Sequence, residues 1–278
     1  MSAVSPLALR APGFRLLRSE LRLIVGRRRN QLGLAVLLIL PIIIAFTVKA
    51  TDTSEGGDFI GSISGNGMFV ALAALSAALP LFLPVAVSAV SSDAIAGEAH
   101  QGTLRYLLTV PVSRARLLAV KAIAVAISCA GVTFAVALVG LVIGWILFPI
   151  GDVTLLSGTQ ISQGEGIARL VGVCAYMTLC LLALAAIGLF FSTLTEQPLG
   201  GSIAVIILAI VSAILNEIPQ LDWLHPYLFV HHWMVFGDFF RAPVLWDNLR
   251  EGALVSLGYI VVFVSAAWAH FTTKDITS

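Results

Sequence analysis

Six long apolar runs alternate with shorter polar segments along the chain, and this alternation predicts its architecture. The runs cover residues 32–48, 68–90, 117–148, 167–191, 198–215 and 253–271. About 20 apolar residues in a helix cross the roughly 30 Å hydrocarbon core of a bilayer, so each run is long enough, or nearly long enough, to form a span. The pattern predicts an all-α integral membrane protein whose single domain, residues 1–278, contains six transmembrane helices.

The composition supports lipid as the main solvent of the chain. Hydrophobic residues make up 59% of the 278 positions and charged residues only 11%, whereas an ordinary soluble domain is about 25% charged. The mean hydropathy is +0.99. The net charge of +1 is close to balance, so no nucleic-acid partner is expected.

The basic residues are distributed unevenly between the two sides of the predicted bundle. Most of the 16 lie before the first run, between the second and third runs, or after the sixth, while the opposite segments carry mainly acids. Lys and Arg mark the cytoplasmic side of short loops. We therefore expect a multi-pass protein of the cell (inner) membrane with both termini in the cytoplasm. No signal peptide precedes the first run, so we expect that span to be retained.

Residues 12–29 have the pattern of an amphipathic helix. Arg15, Arg18 and Arg22 recur at helical spacing beside an apolar stripe formed by Phe14, Leu17, Leu21 and Ile24. This pattern predicts an interfacial helix on the cytoplasmic leaflet. The alternative is a basic tail that only fixes the topology.

The polar segment 217–250, between the fifth and sixth runs, is rich in aromatic residues. Trp and Tyr favour the headgroup zone of a bilayer. We expect one or two short re-entrant or interfacial helices in this segment, broken at Pro226 and Pro243.

The segment 93–113 interrupts the apolar pattern between the second and third runs. Asp93 can cap a helix, and Gly97 or Gly102 can break one. Leu104, Leu107 and Leu108 form one apolar side of a further turn, after which Pro111 and Ser113 end that helix and begin the next. A short cytoplasmic helix between two membrane helices is the predicted structure.

This segment resembles the permease subunits of the ABC-2 transporter family. In order, the chain has an acid (Asp93), an IAGE tetrapeptide (95–98), GTL (102–104), a leucine pair (Leu107 and Leu108) and a Pro-x-Ser-Arg turn (111–114). The resemblance extends to the six spans, the cytoplasmic ends, the basic helix before the first span, and Phe271 followed by Lys274, Asp275 and Ile276.

The resemblance implies that the short helix is a coupling helix that docks on a separate ATP-hydrolysing subunit. The implied contact residues are Asp93, Ile95, Gly97, Glu98, Gly102, Thr103, Leu104, Arg105, Leu107, Leu108, Pro111 and Arg114. The charged members would fix the register and the leucines would anchor the contact. Glu196 is a further candidate contact, although capping of the turn before Pro198 explains it equally well. An interfacial helix without a partner is the alternative for the whole segment.

The chain lacks a GxxxxGK[ST] phosphate-binding sequence, so ATP and Mg²⁺ are expected on the partner and no cofactor on this chain. The implied assembly has two ATPase copies, a second permease half that is identical or related, and membrane lipids. Its implied function is export of a hydrophobic or amphipathic substrate from a prokaryotic cell.

Four other features are candidates for a role. Pro80 and Pro84 could kink the second span and form a hinge or pathway wall.

His231 and His232 could bind a metal, but interfacial packing explains them better, and no metal site is predicted. The cysteines Cys129, Cys174 and Cys180 are interpreted as buried small hydrophobes. Gly140 and Gly144 form a GxxxG pattern that could allow close helix packing.

Two other functional classes remain open. An intramembrane lipid-modifying enzyme would need clustered carboxylates or a metal, and we identify no catalytic residues. A force-transmitting membrane subunit that moves no substrate is the other alternative. The spans carry no ionisable residue securely at their centres, which argues against an ion-coupled transporter and an intramembrane protease.

Overall fold

The computed structural model describes residues 13–51, 66–100, 102, 113–155 and 157–273. Its α-helices are α1 Gly13–Gly26, α2 Arg28–Thr51, α3 Met68–Ala78, α4 Phe82–His100, α5 Arg114–Leu147, α6 Gln163–Leu194, α7 Pro198–Asn216 and α8 Trp246–Thr273. An antiparallel hairpin pairs β1 Val153–Thr154 with β2 Gln160–Ile161. Three 3₁₀ segments follow α7, namely Pro219–Leu221, His225–Tyr227 and Trp233–Phe240.

Within the described ranges, five helices are long and apolar enough to cross a membrane, namely α2, α5, α6, α7 and α8. The bent pair of α3 and α4 makes a sixth if it counts as one span. Each of these elements overlaps one of the six predicted runs. The number and apolar character of these helices make the chain an all-α, multi-pass membrane protein.

The second predicted span is broken at Pro80. Helices α3 and α4 meet at an angle of 61°, and the break contains Leu79, Pro80 and Leu81. Proline cannot donate a backbone hydrogen bond and its ring obstructs the preceding turn, so a helix bends or ends there. Pro84 lies in the first turn of α4, where a missing N–H is tolerated. The bend is thus located at Pro80, and a hinge role remains a prediction.

Helix α6 lies at the centre of the bundle. Of its most apolar 18-residue window, 72% is buried inside the chain, compared with 17% for both α2 and α8. It packs against α4, α5, α7 and α8. Large exposed apolar side chains are concentrated on the outer helices, which is the distribution expected where lipid replaces water as the solvent.

Helices α3 and α5 approach each other closely through glycines. A Cβ atom at Gly144 would collide with the backbone of Gly67, and one at Gly140 would lie 2.7 Å from the Cα atom of Ala71. Small residues allow this kind of backbone contact between membrane helices. The GxxxG pattern at Gly140 and Gly144 therefore marks a real helix contact.

The segment 217–250 packs back onto the bundle at the end that also carries the β-hairpin, named the hairpin end. Arg169 of α6 donates to the carbonyl oxygens of Phe239 and Arg241, each at 2.8 Å. The predicted short helices are 3₁₀ segments. Pro226 lies inside the second of them, so the predicted break at Pro226 is wrong, whereas Pro243 does follow the third segment, which ends at Phe240.

Candidate functional site at the basic end

Several helices meet at the opposite end of the bundle, named the basic end. They include α1, the N-terminal parts of α2 and α5, and the C-terminal parts of α4, α6 and α8. Arg114 at the start of α5 donates to the Thr272 carbonyl oxygen near the end of α8, at 3.5 Å. Gly102 and Ser113, the described residues on either side of the segment 103–112, lie next to α4 and α5 respectively. The predicted coupling segment is therefore rooted in α4 and α5.

The predicted contact residues divide into two groups. Thr103, Leu104, Arg105, Leu107, Leu108 and Pro111 lie outside the described residues. Asp93, Ile95, Gly97 and Glu98 lie within α4, Gly102 follows that helix, and Arg114 is the first residue of α5.

Helix α4 is longer at its C terminus than the sequence suggested. It continues to His100, so the helix cap expected at Asp93 and the break considered at Gly97 are both wrong. The chain turns at Gly102, whose φ of +67° lies in the left-handed region that favours glycine after a helix. Ser113 begins α5 as predicted, because its hydroxyl accepts a hydrogen bond from the Arg116 amide at 3.3 Å.

Asp93 points toward α2 and forms an ion pair with two arginines. Arg27 pairs with its carboxylate, and the Arg29 guanidinium lies 3.2 Å from the same oxygen. A Cβ atom at Gly97 would lie 2.5 Å from Asp93 Oδ1 and 3.1 Å from Arg27 Nη1. Gly97, one helical turn after Asp93, therefore provides the space in which this ion pair lies.

Lys121 of α5 forms a second ionic group with two glutamates from different helices. Its Nζ atom lies 2.6 Å from Glu98 Oε1 of α4 and 3.1 Å from Glu20 Oε2 of α1. The Lys121 side chain is only 2% exposed, and the two glutamates are 8% and 9% exposed. A buried ammonium is tolerated because carboxylates compensate its charge.

These two groups form one network, named the charge network, that consists of Glu20, Arg27, Arg29, Asp93, Glu98 and Lys121. It contains three acids and three bases, so its formal charges cancel. A cavity of about 20 Å³ lies between Glu20, Arg27, Asp93, Glu98 and Lys121. That volume holds about one water molecule and is far below the roughly 300 Å³ of a small ligand pocket.

Helix α6 holds α4 in place just beside the charge network. The Ser192 hydroxyl accepts hydrogen bonds from the backbone amides of Ile95 and Ala96, both at 2.9 Å. An apolar cluster adjoins this contact and consists of Ile95, Leu117, Leu118, Leu189, Ala267 and Phe271. Polar and apolar contacts together join α4, α5, α6 and α8 at the roots of the segment 103–112.

The structure changes the interpretation of two predicted contact residues. Asp93 and Glu98 were expected to contact a partner, but both carboxylates are buried and paired within the chain. Glu196 is exposed beyond the end of α6. The turn before Pro198 is stabilised by Thr195, whose hydroxyl accepts from the Gln197 amide at 3.0 Å, so capping does not explain Glu196.

The sequence patterns do not identify Glu20 or Ser192 as functional residues. They include Lys121 only among the basic residues that mark the cytoplasmic side. Two signals were available. Glu20 is the only acid in residues 12–29 and lies on the apolar side of the predicted helix, between Leu17 and Ile24. Lys121 lies within the third apolar run, where an unpaired ammonium is expensive.

At the hairpin end, the three neighbouring histidines have partners within the chain. His231 Nδ1 lies 2.6 Å from Asn216 Oδ1, and His232 Nε2 lies 3.1 Å from the Pro226 carbonyl oxygen. The rings of His225 and His231 stack at 5.8 Å. Burial and the neighbouring histidines lower the pKa of His231. In the described part of the chain, no group of three or more His, Cys, Asp or Glu side chains is placed to hold a metal ion.

The family described as "Protein of unknown function (DUF2705)" matches residues 34–277. No curated protein matches the chain.

Proposed function

We propose that this chain, which belongs to the DUF2705 family of proteins of unknown function, is the membrane-spanning subunit of an ATP-driven exporter. Like the ABC-2 permeases it resembles, it would form the pathway for a hydrophobic or amphipathic substrate. Two copies of a separate ATPase would bind ATP and Mg²⁺. A second permease half, identical or related, would complete the pathway, with both termini on the cytoplasmic side of the cell membrane.

The observation that carries this proposal is the charge network at the roots of the segment 103–112. Lys121 joins α5 to α4 through Glu98 and to α1 through Glu20. An ATPase that pushes on the segment would therefore move three helices together instead of bending a loose loop. Transmission of force into a membrane domain needs such a rigid, packed connection.

In the proposal, the coupling residues have two different roles. Asp93 and Glu98 hold the roots of the segment, because their carboxylates are directed into the chain. Contact with the ATPase then falls to Leu104, Leu107 and Leu108, the apolar residues that the family resemblance assigns to the coupling helix. The residues that position the segment are therefore different from the residues that dock on the ATPase.

In the proposal, the movement of the coupling segment changes the angle between α3 and α4 at Pro80. Helix α4 contacts α6 through Ser192, so displacement of α4 would also shift the central helix of the bundle. Helix α3 is fixed to α5 at Gly67 and Gly144. In the proposal, α4 pivots against α3 at Pro80 and alters the pathway between the two permease halves.

The first experiment tests docking. The chain is expressed with the ATPase encoded beside it, and copurification and ATP turnover are compared for wild type, Leu107→Asp and the control Ile150→Asp, an exposed position between α5 and the β-hairpin. We expect Leu107→Asp to lose most of the bound ATPase and the control to retain it. Unchanged assembly and turnover in Leu107→Asp would rule out the coupling function.

The second experiment distinguishes export from force transmission without transport. Inverted membrane vesicles that contain the complex are incubated with ATP and a panel of fluorescent amphipathic compounds, and uptake is measured. We expect ATP-dependent uptake of at least one compound, which is lost in an ATPase variant that cannot hydrolyse ATP. ATP turnover that responds to an external protein but moves no compound would favour the force-transmitting alternative.

A further inference from the structure

Helix α1 carries a row of arginines on the face that points away from the bundle. Arg15, Arg18 and Arg22 are all exposed, and their spacing of three and four residues places them on one side of the helix. Glu20, which joins the charge network, lies on the opposite side and is only 6% exposed. One face of α1 is thus fixed to the bundle, and the other presents positive charge.

The charge of this row is uncompensated within the described part of the chain. Ion pairs there engage Arg27 and Arg29, but none engages Arg15, Arg18, Arg22 or the exposed Arg28. We name these four residues the basic row. Four neighbouring guanidinium groups without carboxylates attract an anionic surface.

Aliphatic side chains flank the basic row. Leu23 is 52% exposed, Val25 is 66% exposed and Leu32, in the first turns of α2, is 69% exposed. An aliphatic surface beside arginines is unfavourable in water. It suits the boundary between lipid headgroups and acyl chains, where an amphipathic helix inserts its apolar residues.

The basic row is held close to the level at which α2 enters the membrane. The candidate span begins at Arg28, six residues after Arg22, and only Arg27 separates α1 from α2. The joint between the helices is fixed, because Asn30 and Gln31 donate side-chain hydrogen bonds to the carbonyl oxygens of Ile24 and Val25 at 2.8 and 2.9 Å.

We propose that the basic row binds the headgroups of anionic phospholipids in the adjoining leaflet. The guanidinium groups donate to lipid phosphates, and Leu23, Val25 and Leu32 contact the upper acyl chains. An acidic surface of a soluble protein is the rival occupant, but the exposed aliphatics and the short distance to the span favour lipid. The inference does not depend on the proposed transport function.

Lipid binding at this face would also affect the charge network, because α1 carries both the basic row and Glu20. Glu20 lies on the same helix as the basic row and pairs with Lys121 at 3.1 Å. A bound leaflet therefore restrains the helix that supplies one of the two carboxylates around Lys121. The lipid composition of the membrane then affects the stability of the basic end.

The test titrates lipid into the full chain purified in a neutral detergent. Dioctanoyl phosphatidylglycerol and dioctanoyl phosphatidylcholine are compared, and binding is followed by native mass spectrometry and by the thermal unfolding midpoint. We expect phosphatidylglycerol to bind more tightly and to raise the midpoint. Each arginine near an anionic surface contributes about fivefold in affinity, so R15Q/R18Q/R22Q should weaken phosphatidylglycerol binding on the order of a hundredfold.

Two control variants test whether the effect depends on the position and on the charge of the arginines. Arg250→Gln removes an exposed arginine at the start of α8, at the hairpin end, and should leave binding unchanged. R15K/R18K/R22K keeps the charge and should retain most of the affinity. A wild-type titration at rising NaCl concentration gives an independent test, because salt screens the attraction and must weaken phosphatidylglycerol binding.

Three outcomes would overturn the inference. The first is equal binding of the two lipids by the wild type. The second is equal phosphatidylglycerol binding by wild type and R15Q/R18Q/R22Q, which would leave the basic row to an acidic protein surface. The third is wild-type phosphatidylglycerol binding that does not change with the NaCl concentration.

Discussion

Lys121 Nζ lies 2.6 Å from Glu98 Oε1, and this contact joins the helix that enters the segment 103–112 to the helix that leaves it. The two residues are 23 positions apart in the chain. Glu20 adds α1 to the same contact. The base of the segment is therefore closed by charge as well as by the apolar packing of Leu117 and Leu118.

Removal of the central ammonium should destabilise the basic end strongly. Lys121→Met removes the ammonium that contacts both Glu20 and Glu98, and loss of one partner of a buried pair costs on the order of 3–5 kcal/mol. We expect a clear drop in the thermal unfolding midpoint in detergent. Lys49→Met, at an exposed position, is the matched control and should change it little.

A triple variant separates lost charge balance from lost packing. Glu20→Gln and Glu98→Gln added to Lys121→Met remove the uncompensated carboxylates and should restore part of the lost stability. If the triple variant were no more stable than Lys121→Met, the ionic explanation of the network would be wrong.

Gly97→Ala should disturb the ion pair of Asp93. The added methyl group lies 2.5 Å from Asp93 Oδ1 and 3.1 Å from Arg27 Nη1, so the ends of these two paired side chains must shift. Overpacking costs about 1–3 kcal/mol, which exceeds the gain of up to about 1 kcal/mol from better helix propensity. Gly131→Ala, in α5, meets no atom within 4 Å and should be neutral or stabilising. Equal thermal midpoints for the two variants would contradict this account.

Gly144→Ala tests the close contact of α3 with α5. The new Cβ atom collides with the backbone of Gly67, which cannot rotate away as a side chain could. We expect a loss of at least about 1–3 kcal/mol, measured as lower thermal stability or poor yield of folded protein. Gly258→Ala in α8 adds a methyl group in open space and is the control. A stable Gly144→Ala protein would show that this approach is looser than the structure indicates.

The stability of the hairpin end should fall in mild acid. Burial, followed by the charges of His232 and His225, lowers the pKa of His231 below 6.5, although Glu251 opposes the shift. The folded state then binds fewer protons than the unfolded state, so the stabilisation is complete above about pH 6.5 and is lost as the pH falls through the folded-state pKa. Thermal midpoints from pH 8 to 5 should decline less in His231→Gln than in wild type. His100→Gln, at the basic end, is the control for the loss of one imidazole from the chain.

The spans could be predicted from sequence because their signal is local. Length and hydropathy located all six runs, Pro80 marked the bend, and Gly140 with Gly144 marked a helix contact. Ser113 was identified as a helix start because capping depends on residues within one turn. These features need no knowledge of which helices are neighbours.

The charge network could not be predicted because it depends on which helix faces meet. Glu20 and Lys121 are 101 positions apart, and each alone is an ordinary charge near the end of a helix. The same limit left the choice between Gly97 and Gly102 open. Both glycines could break a helix, and only the packing of α4 against its neighbours shows that Gly102 follows the helix end while Gly97 leaves space for an ion pair.

The order of the network along the chain has a consequence for biosynthesis. Glu20 and Glu98 are translated before Lys121, so a nascent chain that ends before α5 lacks the ammonium that both carboxylates contact in the folded protein. The arrival of α5 supplies both a new span and the missing positive charge. The contact of α1 with α5 through Glu20 and Lys121 can therefore form only after α5 has been made, which places it late in the assembly of the bundle.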